Sequence, residues 1–299
     1  MTSALEIKPL DAPLGAEVKG LSIDGDTDTA TLKALREAVD EHLLLVFRDS
    51  ELPSPEALNA FCLQWGALRP TLADRSRLPG FPGINRISNR DEGKIVGTGG
   101  HDVVTWHSDL AFEPPLIERI YLDAVVLPSR GGNTKWTNLV AAYEALDEAT
   151  RERIDCVAVD YRLRDGLDFV NYFMAEDPTE ATRDQTRISL VQTNPRNGRK
   201  AVWPNTGPDF AARVVGMPED KGTELLAELY EHSTQHRFVY EHEWCVGDSV
   251  FWLNNQTLHQ REAFPGRELR VLRHVNILGI IHPVESSPRP TPAALAGES

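Results

Sequence analysis

The chain has 299 residues, 41% hydrophobic and 25% charged, the composition of a globular protein able to bury a large core. A net charge of −14, with the basic residues scattered, argues against nucleic acid or an anionic membrane surface as partner. The N-terminal residues lack a basic and apolar leader, no apolar run approaches the ~20 residues of a membrane span, and Cys62, Cys156 and Cys245 are too far apart for a Cys-x-x-Cys motif, so reduced, mostly buried thiols and a cytoplasmic location are expected.

Short strands broken at Gly15 and Gly20 are expected over 6–23. The apolar spacing of Leu32, Leu35, Ala38 and Val39 predicts a helix over 31–42, and Leu43 to Phe47 reads as a buried strand. Ser54, Pro55 and Glu56 mark the start of a second helix that runs to about Trp65 and stops at Gly66. Residues 84–88 form a candidate strand, and the glycine-rich stretch 93–102 a flexible loop leading to Thr105-Trp106-His107-Ser108-Asp109.

Beyond Pro114-Pro115, residues 119–127 suit a central strand, Ser129 to Asn133 a turn, and 134–137 another strand. Two short helices follow over 139–154, with Asp147 capping the second, and 156–163 reads as a strand. Residues 164–187 are polar, dotted with aromatics and without a clear period; they suit a lid over a pocket or, equally, a disordered linker. Asn197-Gly198 predicts a hairpin between 189–193 and 200–203. An amphipathic helix over 218–233, with Leu225, Leu226, Leu229 and Tyr230 inward, precedes strands over 238–244, 249–253 and 269–280. The whole describes a mainly β chain with flanking α-helices, a jelly-roll or barrel of antiparallel strands forming one domain over 1–283, and a disordered tail over 284–299.

On an extended strand His107 and Asp109 would point to one face. From those two residues alone, a structural hydrogen-bonded pair is the simpler reading. His259, after the apolar run Ser249 to Leu253, completes a set of two histidines and one carboxylate, the arrangement of non-haem Fe(II) oxygenases. Arg270 is expected to share a strand face with Leu272, His274 and Asn276, where its guanidinium fork could clamp a carboxylate, with the Thr134 hydroxyl as an added donor. His101 is expected to be exposed or associated with the lid, Tyr161, Phe169, Tyr172 and Phe173 could form an apolar lid or, equally, serve loop packing, and Trp203 with Asn205 could line the pocket.

Four blocks in order resemble the taurine dioxygenase and chlorophenoxyacetate dioxygenase family: Trp106-His107-Ser108-Asp109, Ser129 to Thr137 with Ala141 to Leu146, Asn254 to His259, and Leu269 to His274. The opening Pro9 to Gly20 resembles that family's N-terminus, so the likeness runs from about residue 7 to 281. It implies a double-stranded β-helix (cupin-like) enzyme that uses Fe(2+), 2-oxoglutarate and O2. The matching positions imply His107, Asp109 and His259 as catalytic metal ligands, and Thr134 and Arg270 as the groups that hold the distal carboxylate of 2-oxoglutarate. Retention of Asp109 favours hydroxylation over halogenation, with succinate and CO2 as co-products.

In taurine dioxygenase a second arginine, four residues beyond the anchor, holds the sulfonate; here that position is His274. A small organic substrate other than taurine, which could still be anionic, is therefore expected, with Arg69, Thr71, His274 and Asn205 as candidate contacts and Arg162 and Arg164 as further ones near the mouth. Desaturation, cyclisation or epimerisation in natural-product biosynthesis is an alternative outcome of the same cofactor chemistry, and a non-catalytic metal-binding or sensing jelly-roll is the alternative of another class. A homodimer or homotetramer is expected by family analogy only.

Overall fold

The computed structural model describes residues 5–48, 51–70, 76–91, 94–95, 100–110, 115–163, 186–207 and 210–279. Thr71, Arg164, Phe169, Tyr172 and Phe173, all of the expected lid but its last two residues, and the tail over 284–299 lie outside that set. Thr186 and Arg187, counted with the lid from sequence, open the strand Thr186–Ser189.

Among the described residues the largest sheet has eight strands, in the order Glu6–Pro9, Ala16–Lys19, Leu44–Phe47, Ser249–Leu253, Ile117–Val126, Val271–Leu278, Phe81–Ser88 and Arg77–Leu78. Its pairings are antiparallel except where Ala16–Lys19 runs beside Leu44–Phe47. A four-stranded antiparallel sheet of Val239–His242, Thr134–Asn138, Thr257–Arg261 and Val104–His107 faces it. The two sheets meet through Trp252 of the larger one, whose ring lies 5.3 Å from Trp136 and 5.4 Å from His259 of the smaller. This is the mainly β jelly-roll with flanking helices that the strand pattern predicts.

Ile117–Val126 occupies the centre of the larger sheet because both of its faces are apolar or internally paired. Ile120, Tyr121, Leu122 and Ala124 are buried. Its charged residues bring their partners: Glu118 takes Arg119 at 2.7 Å, and Asp123 receives a two-pronged bond from Arg273 at 3.0 and 2.6 Å. A buried charge without such a partner would cost several kcal/mol, roughly the stabilisation of burying two large apolar side chains.

Local signals place the helices. Asp28 caps Thr29–His42 by accepting from the amides of Ala30 and Thr31, and Ser54 and Asp147 do the same for Pro55–Leu63 and Glu148–Ile154. The second helix ends earlier than Trp65. Leu32, Leu35 and Val39 face the core as their spacing requires, and Leu225, Leu226 and Leu229 do so from Glu219–Ser233, while Tyr230 is half-buried.

Several expectations differ from the structure. Strands form at Phe210–Val214 and Thr257–Arg261, neither of which stands out as a strand in sequence, because each is short and gains its stability from neighbours on a sheet. Inside the glycine-rich loop expected over 93–102, Lys94–Ile95 forms a short strand that pairs with Arg90–Asp91 just ahead of it. Cys62 is buried, but Cys156 and Cys245 are exposed. Tyr161 is no lid residue: it is fully buried on Ala158–Leu163 and donates to the Trp203 carbonyl at 3.2 Å.

Candidate active site

Three of the smaller sheet's strands present a row of side chains to the larger sheet. His107 pairs directly with His259, and His259 with Trp136. Directly paired residues share a face, so both imidazoles enter the space between the sheets, their ring centroids 4.1 Å apart. One rung along, about 7 Å away by strand rise, Thr134 pairs with both His242 and Arg261.

Asp109 reaches the histidines by another route than the one expected. The strand ends at His107, and Asp109 lies in the turn that follows, next to Leu110 with a φ of 49°. Two asparagine side chains take over where the ladder stops. Asn205 accepts from the Ser108 amide and donates to the Ser108 carbonyl, both at 3.1 Å. Asn254 does the same for Asp109, at 3.1 and 3.0 Å, and also donates to the carbonyl of Ile117 at 3.2 Å. Ser108, fully buried, accepts from Trp203 Nε1 at 2.8 Å and turns its hydroxyl to the carbonyls of Asn254 and Thr257. Ser108, Asn254 and Trp203 therefore hold the segment, a task sequence reasoning did not assign to them; the adjacency of Asn254 to the His259 block was the available signal.

The result is a cluster of one ligand atom each from His107, Asp109 and His259, all within 4.8 Å of one another; it is the only such group among the described residues. Asp109 Oδ1 lies 3.4 Å from His107 Nε2 and 3.7 Å from His259 Nε2. Donors held at about 2.1 Å in adjacent positions around a metal would sit about 3 Å apart. His107 Nδ1 meets the Thr105 carbonyl at 2.7 Å, so the proton belongs on Nδ1 and the Nε2 lone pair faces the cluster.

Protonation states fit a metal as well. Burial and the neighbouring His107 push His259 down from 6.5 to about 3, which keeps its ring neutral. Burial works to raise Asp109, but the imidazoles of His107, His274 and His259 around it overcome this and hold the carboxyl well below its ordinary value. A neutral His259 imidazole and an ionised Asp109 are the forms in which a divalent ion binds these groups.

Arg270, just ahead of Val271–Leu278, is buried and donates from Nε and Nη2 to the Gly132 carbonyl at 3.1 and 2.8 Å. Gly132 has a φ of +74°, and a Cβ there would stand 3.0 Å from Arg270 Nε, so the Gly131-Gly132 turn makes room for the guanidinium. Burial, and then Arg261, push Arg270 down to about 9. No carboxylate among the described residues offsets it, which marks a site for a ligand anion. Arg261 itself is lowered to about 10 by burial; it donates to the carbonyls of Gly100 and Asp102 and faces the Phe264 ring at 5.2 Å, with Arg270 6.0 Å from the same ring. Arg261, Arg270, Phe264 and Asn89 line a small cavity there. Thr134 is buried and accepts from Trp244 Nε1 at 3.0 Å, which leaves its own hydroxyl proton to be donated.

The remaining candidates fall at various distances. A second small cavity beside Asp109 is lined by Leu110, Leu116, Ile117, Gln192 and Trp203. His274 Nε2 lies 3.1 Å from Asp109 Oδ2. Arg69 bonds through its amide to the Asn276 carbonyl at 2.9 Å, and Arg162 stands on Ala158–Leu163 in a separate three-stranded sheet. His101 is partly exposed, and its ring covers Gly266.

A model of the family described as taurine catabolism dioxygenase TauD, TfdA family matches residues 6–275. Pentalenolactone F synthase of Streptomyces arenae is 32% identical over 284 residues, 91% of this chain and 94% of the relative. The alpha-ketoglutarate-dependent 2,4-dichlorophenoxyacetate dioxygenase of Cupriavidus pinatubonensis is 29% identical over 286 residues, 90% of this chain and 96% of the relative. Among solved structures, AAD-2 in complex with Mn(II) and N-oxalylglycine superposes with a TM-score of 0.79 at 26% identity, covering 95% of this chain and 100% of that one.

Proposed function

We propose, from the premise that this chain belongs to the taurine catabolism dioxygenase TauD, TfdA family, that it oxidises, by hydroxylation, an unactivated C–H bond of a small organic substrate other than taurine. As a member it is an Fe(II)/2-oxoglutarate-dependent dioxygenase, an oxidoreductase that consumes 2-oxoglutarate and O2. The observation that carries the assignment of the site is the convergence of His107 Nε2, His259 Nε2 and Asp109 Oδ1 with no fourth ligand atom in the cluster among the described residues. A face-sharing set of three leaves the other positions open for cosubstrate and O2.

His107, Asp109 and His259 hold the metal in this reading, and Arg270 with Thr134 receives the distal carboxylate of 2-oxoglutarate one rung away. When bound, Fe(II) with 2-oxoglutarate and O2 supplies the oxidising power, and 2-oxoglutarate leaves as succinate and CO2. The chain's own contribution is positional. Arg270 brings a fork already dehydrated by burial, so a carboxylate meets it without a further desolvation cost on the protein side. Thr134 gives the same carboxylate its hydroxyl proton in a hydrogen bond, its lone pair being committed to Trp244. Trp252, Trp136 and the apolar wall of Leu116 and Ile117 keep bulk water from the space between the sheets. Asn205, with both ends of its amide on Ser108, acts here on the backbone of the metal segment.

Similarity to pentalenolactone F synthase favours a second reading, in which the same chemistry gives desaturation, cyclisation or epimerisation in a biosynthetic sequence. Cytoplasmic operation belongs to the proposal too; no helix among the described residues is long and apolar enough to cross a membrane.

Anaerobic titration with Fe(II) and then 2-oxoglutarate tests the site. A weak visible charge-transfer band is expected with the wild-type protein and none with His259→Ala. Iron binding without the band in wild type would overturn the assignment of the cosubstrate site.

A further inference from the structure

Asp109 sits on a turn, beyond the last ladder bond of its strand, whereas the two histidines of the cluster are fixed on paired strands. Asn254 fixes the Asp109 backbone, but nothing in that arrangement sets the side-chain torsion that decides which oxygen faces His107 and His259. The opposite sheet supplies the missing constraint. His274 stands in the middle of Val271–Leu278, paired with Asn85 on one side and Leu122 on the other, and is 6% exposed. Its Nε2 lies 3.1 Å from Asp109 Oδ2, while Oδ1 is the oxygen directed at His107 and His259. The carboxylate is thus divided, one oxygen to the cluster and one to a donor from the rigid sheet.

We propose that His274 is a positioning residue that donates its Nε2 proton to Asp109 Oδ2 and thereby holds Asp109 as a one-oxygen ligand to the metal. The inference rests on the reading of His107, Asp109 and His259 as metal ligands. Its physical basis is the general one for ligating carboxylates: the non-ligating oxygen, left alone, rotates toward the metal or toward water, and an outer hydrogen bond fixes both the torsion and the ligand's basicity. Nδ1 of His274 is buried and has no partner among the described residues, so the proton on Nε2 is the one the surroundings use. A donor spent on Asp109 is also not available to an anionic substrate.

Metal binding without turnover tests this. Anaerobic Co(II) titrations, read by the visible d–d absorption, are made on wild type, His259→Ala, His274→Leu, His274→Asn and His274→Gln, each checked for folding by thermal melting of the metal-free protein. Glutamine can place an amide N–H near the position of Nε2; asparagine is too short and leucine has no donor. Affinity is expected to fall by about 10- to 100-fold in the leucine and asparagine variants, the usual cost of losing an outer-shell bond, with a changed d–d spectrum as Oδ2 becomes free. Glutamine should restore both. If the leucine variant does not fold, the asparagine and glutamine pair decides. Equal affinity and spectrum in asparagine and wild type, or equal loss in asparagine and glutamine, would overturn the positioning role. Failure of the wild type to bind Co(II), or binding undiminished in His259→Ala, would instead overturn the underlying metal site.

Discussion

Asn254 and Asp109 form a closed pair of hydrogen bonds, amide side chain to peptide backbone, at 3.1 and 3.0 Å across 145 residues of chain. The side chain stands in for a neighbouring strand at the point where His107 ends the ladder. Asn254→Ala removes both bonds and leaves the amide and carbonyl of Asp109 and the carbonyl of Ile117 short of partners. A stability loss of about 1–3 kcal/mol is expected, the cost of buried unsatisfied groups. Equilibrium denaturation measures it, and the same variant should bind Fe(II) more weakly.

Arg270 and Gly132 make a second test. Gly132→Ala puts a Cβ 3.0 Å from Arg270 Nε on a backbone whose φ is +74°. Left-handed backbone costs a residue with a Cβ about 1–2 kcal/mol, and the displaced guanidinium should raise the 2-oxoglutarate concentration needed for half-maximal turnover. A variant with wild-type stability and cosubstrate dependence would show that the turn does not set the guanidinium's place.

Arg270→Lys keeps a charge but loses the fork. With one strong charge-assisted bond lost, the apparent KM for 2-oxoglutarate should rise by about 10- to 100-fold. Anaerobic Fe(II) affinity should stay within a factor of about two, since Arg270 contacts none of the proposed ligands. An unchanged KM would remove Arg270 from the anchor role.

The pH dependence of the metal-free protein has a defined sign. His259 is lowered from 6.5 to about 3 and buried His242 is lowered in the same direction, in both cases chiefly by burial. Between the folded and unfolded pKa values the unfolded chain binds protons that the folded chain does not. Stability is therefore fully present above about pH 6.5 and is lost as pH falls below it, at up to about 1.4 kcal/mol per pH unit for each group. Asp109, lowered below its ordinary 3.8, adds to the loss only at more acid pH. Denaturation in the presence of a chelator at pH 7.5, 6.0 and 5.0 measures the slope, and His259→Gln should flatten it. A flat profile for the wild-type chain would mean that neither ring is held neutral by burial.

Much of this was legible in the residues. Helix starts at Ser54 and Asp147 and the hairpin turn at Asn197-Gly198 depend on side chains bonding to backbone within a few residues, or on a glycine's freedom at positive φ, and such signals need no partner from elsewhere. The spacing of His107, Asp109, His259, Thr134 and Arg270 likewise carried the family resemblance, because a metal and a dicarboxylate demand particular residue types.

The chain's residues by themselves determined the jelly-roll pattern, the candidate ligands and the class of chemistry. Only the tertiary structure decided that Asp109 lies on a turn and not on a strand, that Asn205 and Asn254 act on backbone, that His274 faces Asp109, and that Arg270 leans on Gly132. The physical reason is the same in each case. An asparagine or histidine carries donors and acceptors that suit many partners equally well, and which one it takes is set by the register of two sheets whose pairings join residues far apart in the chain.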